Sequence, residues 1–215
     1  MKTLSQNPKI EIWNDDCLNV LKKMPDKSVD LILTDPPYNV DFQYKEYKDK
    51  RPDYKKWCRE WFQEIQRVSK NQCISVGIVN VTMWTKIKEP HWIICWWKPA
   101  AMGRSPFGFC NWEPILFWGK PKKNQGCDVI RATIKPDKSL EGHPCPKPLD
   151  WGLKLVELLT NEGDTILDPF MGSGTTGVAC ANLNRNFIGI EISEKYCQIA
   201  EERIMRVLNQ QKLIF

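Results

Sequence analysis

The sequence contains no apolar run that approaches the length of a membrane-spanning helix, because Lys, Glu, Asn or Pro interrupts each apolar stretch. The first residues, MKTLSQNPKIEIW, lack the apolar core of a signal peptide, so we expect a cytoplasmic protein with no membrane partner. The formal net charge of +5 is small, and it permits a polyanionic partner without requiring one. With 215 residues we expect a single domain, spanning 1–215, around one sizeable core.

The sequence also lacks a recognisable pattern of metal ligands. It has only two His, and its nine Cys include no C-x-x-C pair. Nine is an odd number, and most Cys lie in apolar runs such as NQCISV, WIICWW and GVACAN, so we predict buried free thiols in a reducing compartment and no bound metal. The ten Trp are unusually many, and we expect most of them to fill the core.

Strand-like and helix-like segments alternate along the chain. The predicted strands are KIEIW (9–13), VDLILT (29–34), CISVGIV (73–79), WIICWW (92–97), PILFW (114–118), TILD (165–168) and FIGIEI (187–192). Predicted helices cover 17–24, 54–68 with Asp53 as a candidate N-cap, 147–160, the segment after the Gly-rich turn, and the C-terminus. Such alternation predicts an α/β fold in which helices cover both faces of a doubly wound, mostly parallel sheet.

The segment ILDPFMGSGTTG places glycines directly after a strand and at the start of a helix. Gly172, Gly174 and Gly177 fit G-x-G-x-x-G, where the backbone approaches a ligand closely and the helix N-terminus offers free N–H groups. Sites for NAD, FAD and S-adenosylmethionine all take this form, and so does a tight turn without a ligand. Asp168 would repel a pyrophosphate but suits the ammonium and sulfonium of S-adenosylmethionine, while Glu191 could accept hydrogen bonds from ribose hydroxyls.

The tetrapeptide DPPY, residues 35–38, follows a predicted strand at the edge where α/β sheets bind ligands. Pro36 and Pro37 fix φ and contribute no N–H, so the backbone is rich in acceptors. Asp35 and the Pro36 carbonyl can therefore both accept hydrogen bonds from one amino group, and Tyr38 offers a flat face to a base. Two acceptors bring the lone pair of an aromatic amino group out of the ring, so that it can attack a methyl group on sulfonium directly. A rigid turn is the structural alternative.

Together these segments resemble the S-adenosylmethionine-dependent DNA amino-methyltransferases, in the permuted order that places DPPY before the Gly-rich motif. NDDCLNVLKKMPDKSVDLILTDPPYN is similar to the family's opening, and WWKP, WEPILFWGK, GHPCPKPLDWGLKLV, ILDPFMGSGTTGVAC and FIGIEISEKYCQIA follow in its order. Only the Lys-rich loops and residues 99–111 lack a counterpart. The resemblance implies a circularly permuted, Rossmann-like class I methyltransferase fold with seven strands, one of them antiparallel, for which PILFW is our candidate. The permutation should place the first strand beside FIGIEI.

The resemblance also implies roles for individual residues. Asp16 would contact the adenine of the cofactor, Glu191 its ribose, and His143 and Lys147 its methionine carboxylate. The family usually has Gly-Asp where this chain has Asp15 and Asp16, and N-capping of the following helix is a second role for Asp16. The implied cofactor-binding set is Asp16, Asp35, His143, Lys147, Asp168, Phe170, Gly172, Gly174, Thr175 and Glu191, and the catalytic set is Asp35, Pro36, Pro37 and Tyr38.

Two Lys-rich stretches, 39–53 and 119–142, are either solvated surface loops or segments that contact DNA phosphates, and the resemblance favours the second interpretation. We expect 39–53 to be a mobile loop on the catalytic side and 119–142 to be a short target-recognition insertion. Because duplex DNA buries its amino groups, the target base must leave the stack. The phosphate-binding candidates are Lys45, Lys48, Lys50, Arg51, Lys120, Lys122, Lys123 and Arg131.

We therefore predict site-specific transfer of a methyl group from S-adenosylmethionine to the N6 amino group of adenine in double-stranded DNA. The N4 amino group of cytosine is the main alternative, because Asp35 only tends to accompany adenine in the family. An RNA amino-methyltransferase and a NAD-binding Rossmann enzyme are further alternatives, although NAD binding leaves DPPY unexplained. A homodimer would enlarge the DNA footprint, but the sequence shows neither a homodimer nor a cognate restriction endonuclease.

Overall fold

A computed structural model describes residues 1–41, 49–99, 101, 103–122, 126–133 and 146–212. The strands are β1 (Lys2–Gln6), β2 (Lys9–Asn14), β3 (Val29–Thr34), β4 (Ser69–Ser75), β5 (Trp92–Trp97), β6 (Gly103–Ser105), β7 (Gly108–Cys110), β8 (Trp112–Trp118), β9 (Val129–Arg131), β10 (Thr165–Asp168) and β11 (Asn186–Glu191). The helices are α1 (Cys17–Leu21), α2 (Tyr54–Val68), α3 (Val81–Ile87), α4 (Leu149–Leu159), α5 (Thr175–Asn182) and α6 (Glu194–Lys212). None of these described helices has the length and apolar character needed to cross a membrane.

Nine strands form one sheet in the order β1-β2-β11-β10-β3-β4-β8-β5-β9. β8 is antiparallel to its neighbours β4 and β5, β1 is antiparallel to β2, and the other neighbours are parallel. The seven predicted strands are the central seven, and PILFW lies in the antiparallel β8 as expected. The predicted fold class is confirmed; the sheet has nine strands rather than seven because the short β1 and β9 extend its edges.

The chain order of the strands matches the expected permutation. β2 pairs in parallel with β11, so that Asn14 lies opposite Glu191. β11 continues to β10 and β10 to β3, all in parallel. The carboxyl ends of β2, β11, β10 and β3 therefore meet at one edge of the sheet, and the residues that follow them come together there.

Two hydrophobic clusters cover the two faces of the sheet, because successive strand residues point to opposite sides. Leu31 and Leu33 of β3 belong to the cluster that contains α4 and α5, whereas Ile32 belongs to the cluster with α1 and α2. Six of the ten Trp are buried in these clusters: Trp57, Trp61, Trp84, Trp96, Trp118 and Trp151. Of the eight cysteines in the described ranges, all carry free thiols and five are buried.

Some local predictions differ from the structure. The strand predicted over 73–79 ends at Ser75, because Gly77 adopts a φ of 62° and turns the chain into a 3-10 helix and then α3, which the sequence did not indicate. Asp53 occupies the N-cap position of α2 without a side-chain capping bond, and its carboxylate instead accepts from Arg51 Nε at 3.0 Å. Asp16 does cap α1, accepting from the Leu18 amide at 2.8 Å.

Candidate active site

A cleft of about 260 Å³ lies where the carboxyl ends of β2, β11, β10 and β3 meet. Each strand contributes an acidic residue at or just beyond its end: Asp16, Glu191, Asp168 and Asp35. The lining includes every described member of the predicted cofactor set except Gly174: Asp16, Asp35, Lys147, Asp168, Phe170, Gly172, Thr175 and Glu191. His143 lies outside the described residues. An acid-lined cleft of this kind attracts a cationic ligand.

The glycines of the turn between β10 and α5 have different roles. Gly172 adopts a φ of 53° and donates its amide to Glu191 Oε2 at 2.9 Å. Gly174, with a φ of 78°, lies against α6, where an added Cβ would stand 2.7 Å from the Ala200 Cβ. Gly177 is packed equally tightly against the Ile204 side chain of α6. Gly172 therefore shapes the cleft, whereas Gly174 and Gly177 allow the helices to approach each other.

The Glu191 carboxylate is buried and held in one orientation. Its Oε2 accepts from the Gly172 amide and its Oε1 from the Ser193 amide, each at 2.9 Å. Burial raises the pKa of Glu191 above its ordinary value, and the backbone hydrogen bonds oppose this rise. The Asp15 amide donates to the Glu191 carbonyl at 3.2 Å, which links the end of β2 to the end of β11.

Asp168 is a buried acid at the carboxyl end of β10. Its carboxylate accepts from Thr34 Oγ1 at 2.6 Å, from Thr176 Oγ1 at 2.8 Å and from the Phe170 amide at 3.1 Å. Burial raises the pKa of Asp168 to about 7, although these three donors favour the ionised form. A cation bound in the cleft would add to that preference and keep Asp168 charged.

Asp35 belongs to a compact cluster of charged and polar groups beside the cleft. Lys147 Nζ lies 2.8 Å from Asp35 Oδ2, and the Tyr38 hydroxyl donates to Asp35 Oδ1 at 2.5 Å. The same hydroxyl lies 3.2 Å from Glu113 Oε2 and 3.1 Å from Ser75 Oγ. Burial raises the pKa of Asp35, and the Lys147 ammonium opposes this rise without cancelling it.

Glu113 forms the second acidic end of this cluster. Lys98 forms an ion pair with Glu113 Oε1, and Lys147 Nζ lies 3.6 Å from Glu113 Oε2. Both ammonium groups lie 5.0 Å from the centre of the Trp96 ring. Burial alone would raise the pKa of Glu113, but the two ammonium groups together outweigh it, so its pKa lies below the ordinary value. The Tyr38 hydroxyl thus lies among Asp35, Glu113 and Lys147, and Lys98 pairs with Glu113 at the end of the cluster.

The catalytic set predicted from DPPY is brought together, with one difference in orientation. Asp35 and Pro37 line the cleft, and the Pro37 carbonyl accepts from the Tyr54 hydroxyl at 2.7 Å. Pro36 and Tyr38 do not line it. The Tyr38 ring packs on Gly77, where an added Cβ would lie 2.8 Å from it, and its hydroxyl points into the charged cluster. Gly77 therefore covers one side of the ring, and the stacking of a base on Tyr38 stays a prediction.

Several lining residues were not predicted from the sequence. Tyr54 and Trp57 reach the cleft from the first turns of α2, although their helical spacing indicated only a core face. Asp49 also lines the cleft, and it accepts from the Asn39 and Val40 amides at 3.0 and 2.6 Å. No motif marks these residues, because the loop and α2 come to the cleft only in the folded chain.

The phosphate-binding candidates lie in different places. Arg51 lines the cleft, pairs with Asp53 and stacks over Trp57 at 4.7 Å. The exposed Lys50 lies 3.7 Å from Asp41, and Arg131 ends β9 on the same edge of the sheet as the cleft. Lys45, Lys48 and Lys123 lie outside the described residues.

Lys120 and Lys122 lie at the opposite edge of the sheet, because the antiparallel β8 carries the chain there. Lys122 Nζ contacts Asp164 at 2.5 Å and Asp30 at 3.7 Å, beside the amino ends of β10 and β3. The Lys120 amide donates to Asn71 near the start of β4. This placement argues against a role for either lysine in holding DNA at the cleft.

The nine-stranded sheet with its cleft at the carboxyl ends defines a class I methyltransferase fold. A family model described as DNA methylase matches residues 29–141 and 111–202, and the chain belongs to this family of N6/N4 DNA methylases. Type II methyltransferase M.HpaI of Haemophilus parainfluenzae is 30% identical over 227 residues, which cover 88% of this chain and 72% of that protein. Type II methyltransferase M.HinfI of Haemophilus influenzae is 24% identical, with 91% and 68% covered.

Solved structures agree with this membership. The M1.HpyAVI–SAM complex matches with a TM-score of 0.70 at 27% identity, covering 91% of this chain and 98% of that chain. The PvuII DNA methyltransferase, described as cytosine-N4-specific, matches with a TM-score of 0.73 at 17% identity, covering 94% and 92%, a likeness that concerns the fold alone. The resemblance to DNA amino-methyltransferases that the sequence motifs indicated is therefore confirmed.

Proposed function

We propose that the protein methylates the N6 amino group of adenine at specific sites in duplex DNA, with the target base extruded from the helix. Membership of the N6/N4 DNA methylase family establishes the amino-methyltransferase class. The position of Asp35 supports the assignment of the target amino group and of base extrusion. Asp35 lines the cofactor cleft and also belongs to the charged cluster with Lys147, Tyr38 and Glu113.

S-adenosylmethionine is the cofactor, in agreement with the sequence prediction. When bound, it supplies an electrophilic methyl group. The residues of the cleft fit this molecule: the acidic lining suits its cationic centres, and the fixed Glu191 carboxylate suits the ribose hydroxyls. Asp168, held by Thr34 and Thr176, favours a positive charge nearby rather than a phosphate.

Asp35 would hold the amino group of the target base. Its Oδ2 already accepts from an ammonium, at 2.8 Å from Lys147 Nζ, so the position suits an N–H donor. Hydrogen bonds to Asp35 and to the Pro36 carbonyl would orient the nitrogen lone pair for attack. As the nitrogen takes up the methyl group it becomes more acidic, and Asp35 can accept the released proton because burial raises the pKa of this carboxyl.

The position of Asp35 supports extrusion of the base. Its side chain lines the cleft and is 26% exposed, whereas a base that is paired and stacked in a duplex holds its amino group inside the helix. We propose that Lys50 and Arg131, which lie on the cleft edge of the sheet, contact the neighbouring phosphates. The stretches 39–53 and 119–142 would therefore approach DNA through these two residues. Lys120 and Lys122 are not included, since they lie at the opposite edge.

The choice of adenine over cytosine rests on Asp35 at the first position of DPPY. To test it, the protein is incubated with methyl-labelled S-adenosylmethionine and duplex DNA of mixed sequence, and the DNA is digested to nucleosides. We expect the label in N6-methyl-2′-deoxyadenosine. Label in N4-methyl-2′-deoxycytidine would establish the cytosine alternative, and transfer to RNA in a parallel reaction but not to DNA would refute the assignment to DNA.

The role of Asp35 is tested separately. Asp35→Ala should abolish transfer while the protein still binds S-adenosylmethionine, as measured by calorimetry. Asp53→Ala, which removes an exposed carboxylate that pairs with Arg51 near the same loop, serves as the matched control and should keep transfer. Transfer by Asp35→Ala at the rate of the unaltered protein would contradict the catalytic assignment.

A further inference from the structure

A hairpin projects from the catalytic edge of the sheet, and the proposed reaction assigns it no role. It consists of β6 and β7, which pair with each other and form a sheet of their own. It connects β5 to β8, whose ends pair through Trp97 and Trp112. Lys98 directly follows Trp97 and Glu113 directly follows Trp112, and these two residues form an ion pair in the charged cluster beside Asp35. The hairpin is therefore rooted directly in the catalytic site.

The tip of the hairpin presents an aromatic side chain to solvent. Ser105 pairs with Gly108, so Pro106 and Phe107 form the turn between them. Pro106 restricts φ at this position, and the Phe107 amide donates to Ser105 Oγ at 3.2 Å, so the turn is preorganised. The Phe107 side chain is 100% exposed. A stiff turn thus holds a large apolar ring entirely in water.

Further exposed aromatic residues and cations lie along the same hairpin and its root. Phe109 is 66% exposed and pairs across the hairpin with the exposed Arg104. At the root, Trp97 and Trp112 are each more than one third exposed, and the Arg131 guanidinium lies 5.2 Å from the Trp97 ring centre. Single exposed apolar residues are common on protein surfaces, but aromatic rings alternating with guanidinium groups match the bases and phosphates of a nucleic acid.

We propose that this hairpin enters the DNA duplex beside the target base and places the Phe107 ring in the gap that the extruded base leaves. The inference rests on the proposed function, because it needs a duplex bound at the catalytic edge. Extrusion breaks the stacking on both neighbours of the target base, and an inserted apolar ring restores part of it. Arg104 would contact the adjacent backbone phosphates, because it lies across the hairpin from Phe109.

A gap that already exists in the base stack provides a test that does not require the target sequence. Fluorescence anisotropy measures binding to a labelled duplex of fixed mixed sequence, either intact or with one abasic site. We expect the protein to bind the abasic duplex about tenfold more tightly than the intact one, as expected for one stacking contact. Phe107→Ala should bind both duplexes equally, and Phe107→Trp should restore the preference.

Trp92→Ala is the matched control, because Trp92 is 59% exposed but begins β5 at the opposite edge of the sheet. It should keep the preference for the abasic duplex. A preference that persists in Phe107→Ala, or its absence from the unaltered protein, would overturn the proposal. So would a change of oligomeric state, seen by sedimentation, in Phe107→Ala without a change in DNA binding, because the ring would then contact a second copy of the chain.

The methyl-transfer assay separates this proposal from the proposed function. A protein that prefers the abasic duplex through Phe107 but transfers no methyl group to DNA would refute the proposed function and leave the insertion of Phe107 standing. Transfer into adenine that is accompanied by equal binding to both duplexes would refute the insertion alone.

Discussion

The ammonium group of Lys147 lies between the two partly buried carboxylates of the charged cluster, Asp35 and Glu113, and its removal tests how that cluster works. Lys147 Nζ is 2.8 Å from Asp35 Oδ2 and 3.6 Å from Glu113 Oε2, and its side chain is only 10% exposed. Lys147→Met removes the charge and retains an apolar side chain of similar length. Both carboxylates remain, and the Tyr38 hydroxyl still lies between them.

The expected loss of stability follows from the partners that remain. Removal of one partner from a buried ion pair typically costs ~3–5 kcal/mol, because the other charge stays buried. Asp35 is partly exposed, at 26%, and Glu113 keeps the Lys98 ammonium. Water and Lys98 therefore compensate in part, and we expect Lys147→Met to lower the free energy of unfolding by about 1–3 kcal/mol near pH 8.

The sign of the pH dependence distinguishes lost charge pairing from lost packing. Burial already raises the pKa of Asp35 in the folded protein, and Lys147 opposes that rise. Without Lys147 the folded-state pKa of Asp35 rises further, so the carboxyl takes up a proton at a higher pH than in the unaltered protein. The stability deficit should be fully present above this raised pKa and should shrink as the pH falls through it, since a protonated Asp35 needs no cationic partner.

Urea unfolding of both proteins, followed from about pH 8 to about pH 5, measures this deficit. The proposed mechanism requires an ionised Asp35, so methyl transfer should fail in the variant at a higher pH than in the unaltered protein. Lys154→Met is the matched control: Lys154 lies on α4, which begins two residues after Lys147, and it donates to the Arg131 carbonyl at 2.9 Å, so its removal should show no such dependence. A deficit that is constant across the pH range, or no deficit at all, would refute the electrostatic explanation.

Two further substitutions probe the cleft. Glu191→Gln replaces one oxygen that accepts from the Gly172 or Ser193 amide by an NH₂ group, so calorimetry should show about tenfold weaker cofactor binding. Glu194→Gln, on the exposed start of α6, is the control and should leave cofactor affinity unchanged. Equal affinities of the two variants would contradict the role of Glu191 in holding the cofactor. Gly77→Ala should displace the Tyr38 ring and reduce transfer more than cofactor affinity. Gly163→Ala is the control, because Gly163 has a φ of 78° but no atom lies within 4 Å of the added Cβ, so the substitution carries only the backbone cost of ~1–2 kcal/mol. If Gly77→Ala and Gly163→Ala reduced transfer equally, displacement of the Tyr38 ring would not be the cause.

The central strands could be predicted because each is an apolar run of ordinary strand length that ends at a turn. The strands β6, β7 and β9 have three residues each, too few for any periodicity to be visible. α3 was missed although Val81, Trp84 and Ile87 follow helical spacing and pack on the cluster with α2, because a helix of seven residues is too short for that spacing to stand out. The expected strand over 73–79 failed at Gly77, whose positive φ no apolar pattern encodes.

The site was predicted where its residues are contiguous with a strand end. Asp35, Asp168 and Glu191 each follow an apolar run directly, and the parallel arrangement brings them together. Glu113 was missed because its proximity to Lys98 and Asp35 depends on the pairing of β5 with β8, which residue spacing does not contain. The placement of Lys122 failed for the same reason: its charge was visible, but the antiparallel direction of β8 carries it to the wrong edge.

The register of β3 and β10 connects the two halves of the proposed chemistry. Ile32 pairs with Leu167, so Asp168 continues the register opposite Leu33, and Asp35 follows two residues further along the neighbouring strand. The Thr34 hydroxyl donates to Asp168 at 2.6 Å, and the next residue along the chain is Asp35, which lies 2.8 Å from Lys147. The pairing of β3 with β10 therefore sets the spacing between Asp168, which would face the methyl donor, and Asp35, which would hold the amino group. A circular permutation leaves this spacing intact, because it moves the chain ends and not the register of these two strands.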